Sequence, residues 1–284
     1  MASNALPTEN ILGYDVTTIP RKQFTDSICK EYENFNNVCV YTINPHSYVT
    51  SLHDKKFNSA LKDSEFLVPD GTGFVLASIL LGGQISKRIT GNDLFMEISE
   101  NLNKRGIKYA FFGTHKSTLD IITNKLRTDF PNIEVVKSIS PPFRKFTEEE
   151  NIQFCKEINE SGTEVLWVGM TAPKQEKWIY ENLHRLNVNM ILPIGAVFDF
   201  YAGTVKRPGP MWCKLGMEWL PRFLKHPIKL WRRNVISSPI FLVILCYTKC
   251  VQLLTRNKPS PYSSKVISTE KTSESNRLKQ INSE

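Results

Sequence analysis

Asp70 is the residue of this chain best placed to meet a ligand. It lies in the run Phe66-Leu67-Val68-Pro69-Asp70-Gly71-Thr72-Gly73, after which residues 74–81 are apolar but for Ser78. That order reads as strand, tight turn and helix. Gly71 opens backbone angles closed to other residues, and free N–H groups at the start of the next helix favour anions. Asp70 thus stands at the carboxyl end of a strand, where open α/β sheets bind ligands. The competing readings are a solvated turn aspartate and an N-cap for the following helix.

Other polar residues recur in the same setting. Thr42 and Asn44 follow the apolar Val38-Cys39-Val40-Tyr41. Gly113 and Thr114 follow Tyr109-Ala110-Phe111-Phe112, Gln175 follows Val165-Leu166-Trp167-Val168, and Asp199 follows Met190-Ile191-Leu192-Pro193-Ile194. Arg88 lies in a loop leading to a helix capped by Asn92 or Asp93, and residues 10–34 read as a short strand and a helix. Residues 46–61 read as one helix, and Thr147 with Glu148, Glu149 and Glu150 opens another. Apolar strands alternating with helical segments predict an α/β, Rossmann-like, mostly parallel sheet with helices on both faces. In such a sheet the five polar clusters share one edge, where open α/β sheets bind ligands. Asp199 stands between two phenylalanines, where an unpaired buried carboxylate would be costly.

The 284 residues, 41% hydrophobic and 23% charged, suffice for a full core. The net charge of +8 points to an anionic partner, and the basic residues concentrate in residues 206–258. No nucleic-acid motif accompanies them, so no nucleic acid is expected as a partner. The six cysteines show no zinc-site spacing and no Asp-x-Asp stands in a strand-end loop, so no metal and no cofactor are expected. Residues 1–20 lack a basic segment followed by an apolar core, so no signal peptide is expected.

The motifs form an ordered series: Thr42-x-Asn44, Pro69-Asp70-Gly71, Arg88-x-Thr90-Gly91-x-Asp93-Leu94, Ala172-Pro173-Lys174-Gln175-Glu176, Gly195-Ala196-x-Phe198-Asp199 and Glu218-Trp219-Leu220-x-Arg222. The series closely resembles the WecG/TagA/CpsF family of bacterial glycosyltransferases. The resemblance implies transfer of a hexose, typically N-acetylmannosamine, from a UDP-sugar donor to a polyprenyl-diphosphate-linked sugar acceptor. It implies inversion at the anomeric carbon without a metal, in synthesis of surface polysaccharide or teichoic acid. Position by position, it makes Asp70 the general base and places Thr42, Gln175 and Arg88 with catalysis. It places Asn44 and Asp199 with substrate, and Arg222 and Arg232 as basic residues of a C-terminal appendage. Gly71, Gly113 and Thr114 are expected to bind substrate through the turns they form. The rival class is a non-catalytic nucleotide-binding regulatory or adaptor protein, which would bind UDP without consuming UDP-sugar.

Three segments are expected: a glycosyltransferase core over residues 1–205, a basic appendage over 206–256 and a disordered polar tail over 257–284. Within the appendage, Trp219, Phe223, Leu224, Leu230 and Trp231 interleave with Lys225, Lys229, Arg232 and Arg233. An apolar stretch at 236–254 follows, interrupted by Pro239 and Lys249. A spanning helix needs about 20 apolar residues. The flanking charges favour instead a helix lying in the membrane surface, hence a peripheral protein on the cytoplasmic face of the membrane. The alternatives are a helix packed on the core and a true anchor. A homo-oligomer is compatible with the sequence.

Overall fold

The computed structural model describes residues 6–209, 211–212, 216–225 and 227–255, and the tail expected at 257–284 lies outside them. The chain opens with a hairpin, β1 (Thr8–Ile11) and β2 (Tyr14–Thr17), joined by Leu12 and Gly13, both at positive φ. Helix α1 (Arg21–Glu31) follows. The single strand expected in this region is thus two strands turned by a two-residue loop. Its signal was weak because Leu12 occupies a position where Asn, Asp or Gly is usual.

Six parallel strands then build the main sheet: β3 (Val38–Ile43), β4 (Phe66–Pro69), β5 (Lys108–Gly113), β6 (Glu134–Ile139), β7 (Val165–Gly169) and β8 (Met190–Pro193). Their order across the sheet is β4-β3-β8-β7-β5-β6. The expected parallel α/β architecture is therefore the observed one. β5 and β7 are buried along almost their whole length because both sheet faces are covered. Alternate side chains point to opposite layers. Tyr109, Phe111 and Trp167 enter one core, with α1, α5 (Gly91–Asn103), α6 (Lys116–Asp129) and α9 (Val197–Ala202). Phe112, Leu166 and Val168 enter the other. That core also takes α2 (Pro45–Ser51), α3 (Lys55–Lys62), α4 (Thr72–Leu81), α7 (Glu148–Glu160) and α8 (Lys174–Asn182).

Two helix boundaries differ from expectation. Residues 46–61 form two helices, because Asp54 caps α3 by accepting from the Phe57 N–H at 3.0 Å. Helix α5 is capped by Thr90 in a reciprocal box, with Asp93 at the third position reaching back to the Thr90 N–H.

Beyond the sheet come α10 (Trp219–Lys225) and α11 (Pro227–Trp231), a π-helical segment (Arg232–Ser237), and α12 (Ser238–Thr255). The run Arg232–Leu254 is long and apolar enough to cross a membrane, with mean hydropathy 1.6. One stripe of it is nonetheless core. Phe241 and Leu245 are fully buried in the same cluster as Tyr48 and Phe74. Leu242, Val243, Tyr247, Leu253 and Leu254 on the remaining surface are exposed. The appendage thus shares its hydrophobic core with residues before position 206.

Candidate active site

All five expected polar clusters lie at the carboxyl edge of the parallel sheet, in two groups. The first surrounds the ends of β3 and β4. Asp70 follows β4, and its N–H donates to the Ile43 carbonyl at 2.8 Å, which ties the two strand ends together. Gly71, at φ 88° and ψ 160°, turns the chain into α4. That combination is open only to glycine. Gly71 is itself the cap of α4 and no side chain fills that role, so Asp70 is not spent as an N-cap.

Asn44 caps α2 instead. Its side-chain oxygen accepts from the N–H groups of His46 and Ser47, both at 3.0 Å. With the oxygen committed, the amide nitrogen is the group that donates to the Asp70 carboxylate. Asn44, expected to bind substrate, is thereby held between the start of α2 and Asp70. Thr42 pairs with Val68 in the β3–β4 register and is half-buried two residues before Asn44 on the same face.

Burial raises the Asp70 carboxyl above its usual range, and Glu218 adds to that shift. Arg233, Arg88 and the Asn44 hydrogen bond oppose it without cancelling it. A carboxylate with this balance is a stronger base than one in water. The surrounding cations are held in turn. Arg88 and Arg207 both donate to Glu218 Oε1, the latter at 3.1 Å. Burial pushes the Glu218 carboxyl up, but these two guanidiniums hold it below its usual range. Arg222 places its guanidinium 5.1 Å from the centre of the Phe200 ring, and burial lowers its pKa.

Arg233 is the residue that sequence reading missed. Arg232 was expected at the site, but it is exposed, whereas Arg233 is half-buried and acts on Asp70, Arg222 and His46. Both sit in the π-helical segment, which is fastened to α2 by a 2.8 Å hydrogen bond between His46 Nδ1 and Ser237 Oγ. Burial first, then Arg233 and Arg232, lower the His46 pKa.

The second group lies at the ends of β5, β7 and β8. From β5 the chain moves outward to β6, and from β7 it moves the opposite way to β8. The crevice between β5 and β7 is therefore a topological switch point. A Cβ on Gly113 would stand 2.4 Å from the Gly169 carbonyl oxygen, so only glycine lets these strand ends meet. Thr114 has φ 47°, a strained conformation for its type, and its N–H donates to the Gly169 carbonyl at 3.1 Å. Gln175 is buried. Its oxygen accepts from the Met170 N–H at 3.2 Å, and its amide donates to Glu176 at 2.8 Å. It braces the loop after β7. Asp199 is half-buried on α9 and accepts from the Thr204 hydroxyl at 3.5 Å, so the cost of an unpaired buried carboxylate does not arise. Its neighbour Phe200, under Arg222, links the two groups.

Glu176 is the buried acid that the expected chemistry does not use. Burial raises its pKa to about 7, and its Oε2 has no partner. From pH 4.5, the ordinary value, up to about 7 only the folded state holds this proton, so stability falls as pH rises through that window. A shift of this size corresponds to about 3 kcal/mol. We predict that Glu176→Gln is more stable than the parent at pH 8 by up to that amount and that the gain vanishes at pH 4.5. Denaturant melts at the two pH values check this, and an unchanged pH dependence would refute the assignment. Among the described residues no cluster of three His, Cys, Asp or Glu could hold a metal ion.

A family model described as glycosyl transferase WecG/TagA/CpsF matches residues 9–255 of the chain. The chain is also similar to curated proteins named N-acetylglucosaminyldiphosphoundecaprenol N-acetyl-beta-D-mannosaminyltransferase. The protein of that name from Bacillus subtilis (strain 168) is 25% identical over 241 residues, covering 84% of this chain and 92% of the relative. The one from Bacillus spizizenii is 27% identical over 203 residues, covering 72% and 76%. The one from Staphylococcus aureus (strain MW2) is 25% identical over 244 residues, covering 84% and 92%.

Proposed function

The chain belongs to the WecG/TagA/CpsF family of glycosyl transferases, and from that membership we propose that it moves N-acetylmannosamine from a UDP donor to polyprenyl-diphosphate-linked N-acetylglucosamine. The relatives' shared name supports the two sugars and the lipid diphosphate. One structural observation carries the chemistry: a half-buried carboxylate of raised pKa, Asp70, faces a group of arginines at the sheet's carboxyl edge. In this reading Asp70 takes the proton of the acceptor hydroxyl as that oxygen bonds to the anomeric carbon. The bond from that carbon to the diphosphate breaks, and UDP leaves with the electron pair. A single displacement inverts the centre and needs no second carboxylate.

The leaving diphosphate gains negative charge in the transition state, and fixed cations there stabilise it most when water is excluded. Arg222 and Arg233 supply that charge, so the reaction is proposed to run without a metal. The test is incubation with a panel of UDP-sugars and lipid-diphosphate sugars, followed by mass spectrometry of the product. The expected product carries N-acetylhexosamine added from the UDP donor, with EDTA leaving the rate largely intact. Absence of any product across the panel would sink the transferase reading, and loss of activity on chelation, restored by magnesium or manganese, would sink the metal-free one.

We also propose that the protein works at the cytoplasmic face of the membrane as a peripheral protein. The exposed apolar surface of α12, with basic residues on the preceding segment, supports this placement. Carbonate washing of membranes is expected to release the full-length protein. Retention through the wash would mean that α12 is inserted as an anchor.

A further inference from the structure

Helix α4 is apolar on every side, a composition that ordinarily belongs to a fully covered helix. Yet Leu76 is 42% exposed and Ile79 64% exposed. With Thr72 and Val75 they occupy positions i, i+3, i+4 and i+7, one face of the helix, and that face forms a wall of a cleft of about 610 Å³. The wall begins two residues after Asp70 and runs about 10 Å from Thr72 to Ile79 at helical rise. Around it stand Arg21, Lys87, Arg88 and Arg207, against Asp93, Glu218 and the Glu97 that pairs with Arg21, a net positive rim.

We propose that this cleft seats the acceptor, with the first isoprene units of its lipid tail on Val75, Leu76 and Ile79. The inference rests on the transferase reading above and extends it to the lipid. The order of chemistry along α4 argues for that occupant: a base at one end, cations alongside, then an apolar stripe. A hydroxyl-bearing sugar, a diphosphate and a prenyl chain follow one another in the same order. The net positive rim suits a diphosphate. A UDP-sugar has no apolar end and would leave the stripe bare. The donor thus falls to the crevice between β5 and β7, and the two substrates approach Asp70 from different sides.

Chain-length preference tests this without a membrane. N-acetylglucosamine diphosphates carrying either a methyl or a farnesyl group are compared as acceptors in vesicle-free buffer. The parent is expected to favour the farnesyl compound in kcat/KM by roughly thirtyfold or more, the scale set by burying a few isoprene units. Ile79→Asn and Leu76→Gln, both at exposed positions that tolerate polar side chains, are each expected to shrink that preference to a few-fold. Farnesyl diphosphate binding, followed by calorimetry, is expected to weaken about tenfold in the same variants. Equal use of the two acceptors by the parent, or an unchanged preference in both variants, would overturn the inference while leaving the transferase reading intact. If the parent transfers to neither acceptor, the transferase reading fails and the calorimetry alone decides whether the stripe binds a prenyl chain. If the variants lose binding to anionic vesicles but keep the chain-length preference, the stripe is a membrane face and the inference is wrong.

Discussion

Asp70→Asn is expected to turn over UDP-sugar about two to four orders of magnitude more slowly than the parent, the range typical of a lost general base. The substitution keeps the shape and the turn at Gly71, and an amide cannot take a proton at neutral pH. Affinity for UDP should stay nearly unchanged, because the nucleotide site proposed between β5 and β7 is built by other residues. The pH profile separates a base from a mere turn residue. Burial raises the Asp70 pKa, so the parent's kcat/KM should fall on the acid side at a pH above the ordinary carboxylate range. As pH drops through that value the base becomes protonated and the rate declines. The residual activity of the Asn variant should lack this limb. A variant that turns over near the parent rate, or that keeps the acid limb, would remove Asp70 from the mechanism.

The strand ends were legible because their signals are local. An apolar run followed by Pro69, Asp70 and Gly71 can hardly be anything but a strand entering a turn, and the sheet edge gathers such turns whatever the rest of the chain does. The ion network was not legible. Glu218 joins Arg88 across 130 residues of chain, and no pattern at either position announces the pair. Arg232 came from the family resemblance, and nothing in the local sequence shows that its neighbour Arg233, in the same π-helical segment, is the half-buried one of the two. The cap formed by Asn44 and its contact to Asp70 were not legible either, because both depend on how the β3 and β4 ends meet. The phase of α12 was hidden as well. In Ile240-Phe241-Leu242-Val243-Ile244-Leu245 every residue is apolar, so hydrophobicity alone cannot say which stripe turns inward.

That inward stripe yields the second large expected effect, at Phe241. Its ring lies 5.3 Å from that of Phe74 on α4 and 5.5 Å edge-on from that of Tyr48 on α2. It is fully buried. Truncation to alanine forfeits its transfer energy and leaves a cavity between three helices that are all tethered elsewhere, so collapse can only be partial. Phe241→Ala should therefore destabilise the protein by about 3–5 kcal/mol, within the range for buried aromatic deletions. On a chain of this size that lowers Tm by roughly 6–20 °C, measured by scanning calorimetry. Activity should fall too, because the same contact docks the segment carrying Arg233 against the turn that carries Asp70. Phe241→Leu, which refills most of the volume, should restore the larger part of both. The two readouts discriminate between models of the appendage. If α12 served only as a membrane-binding attachment, Phe241→Ala would lower vesicle affinity and leave Tm and soluble-acceptor turnover untouched. The packing of Phe241 against Phe74, whose helix begins two residues after Asp70, predicts the opposite: stability and catalysis decline together because the appendage completes the core beneath the site.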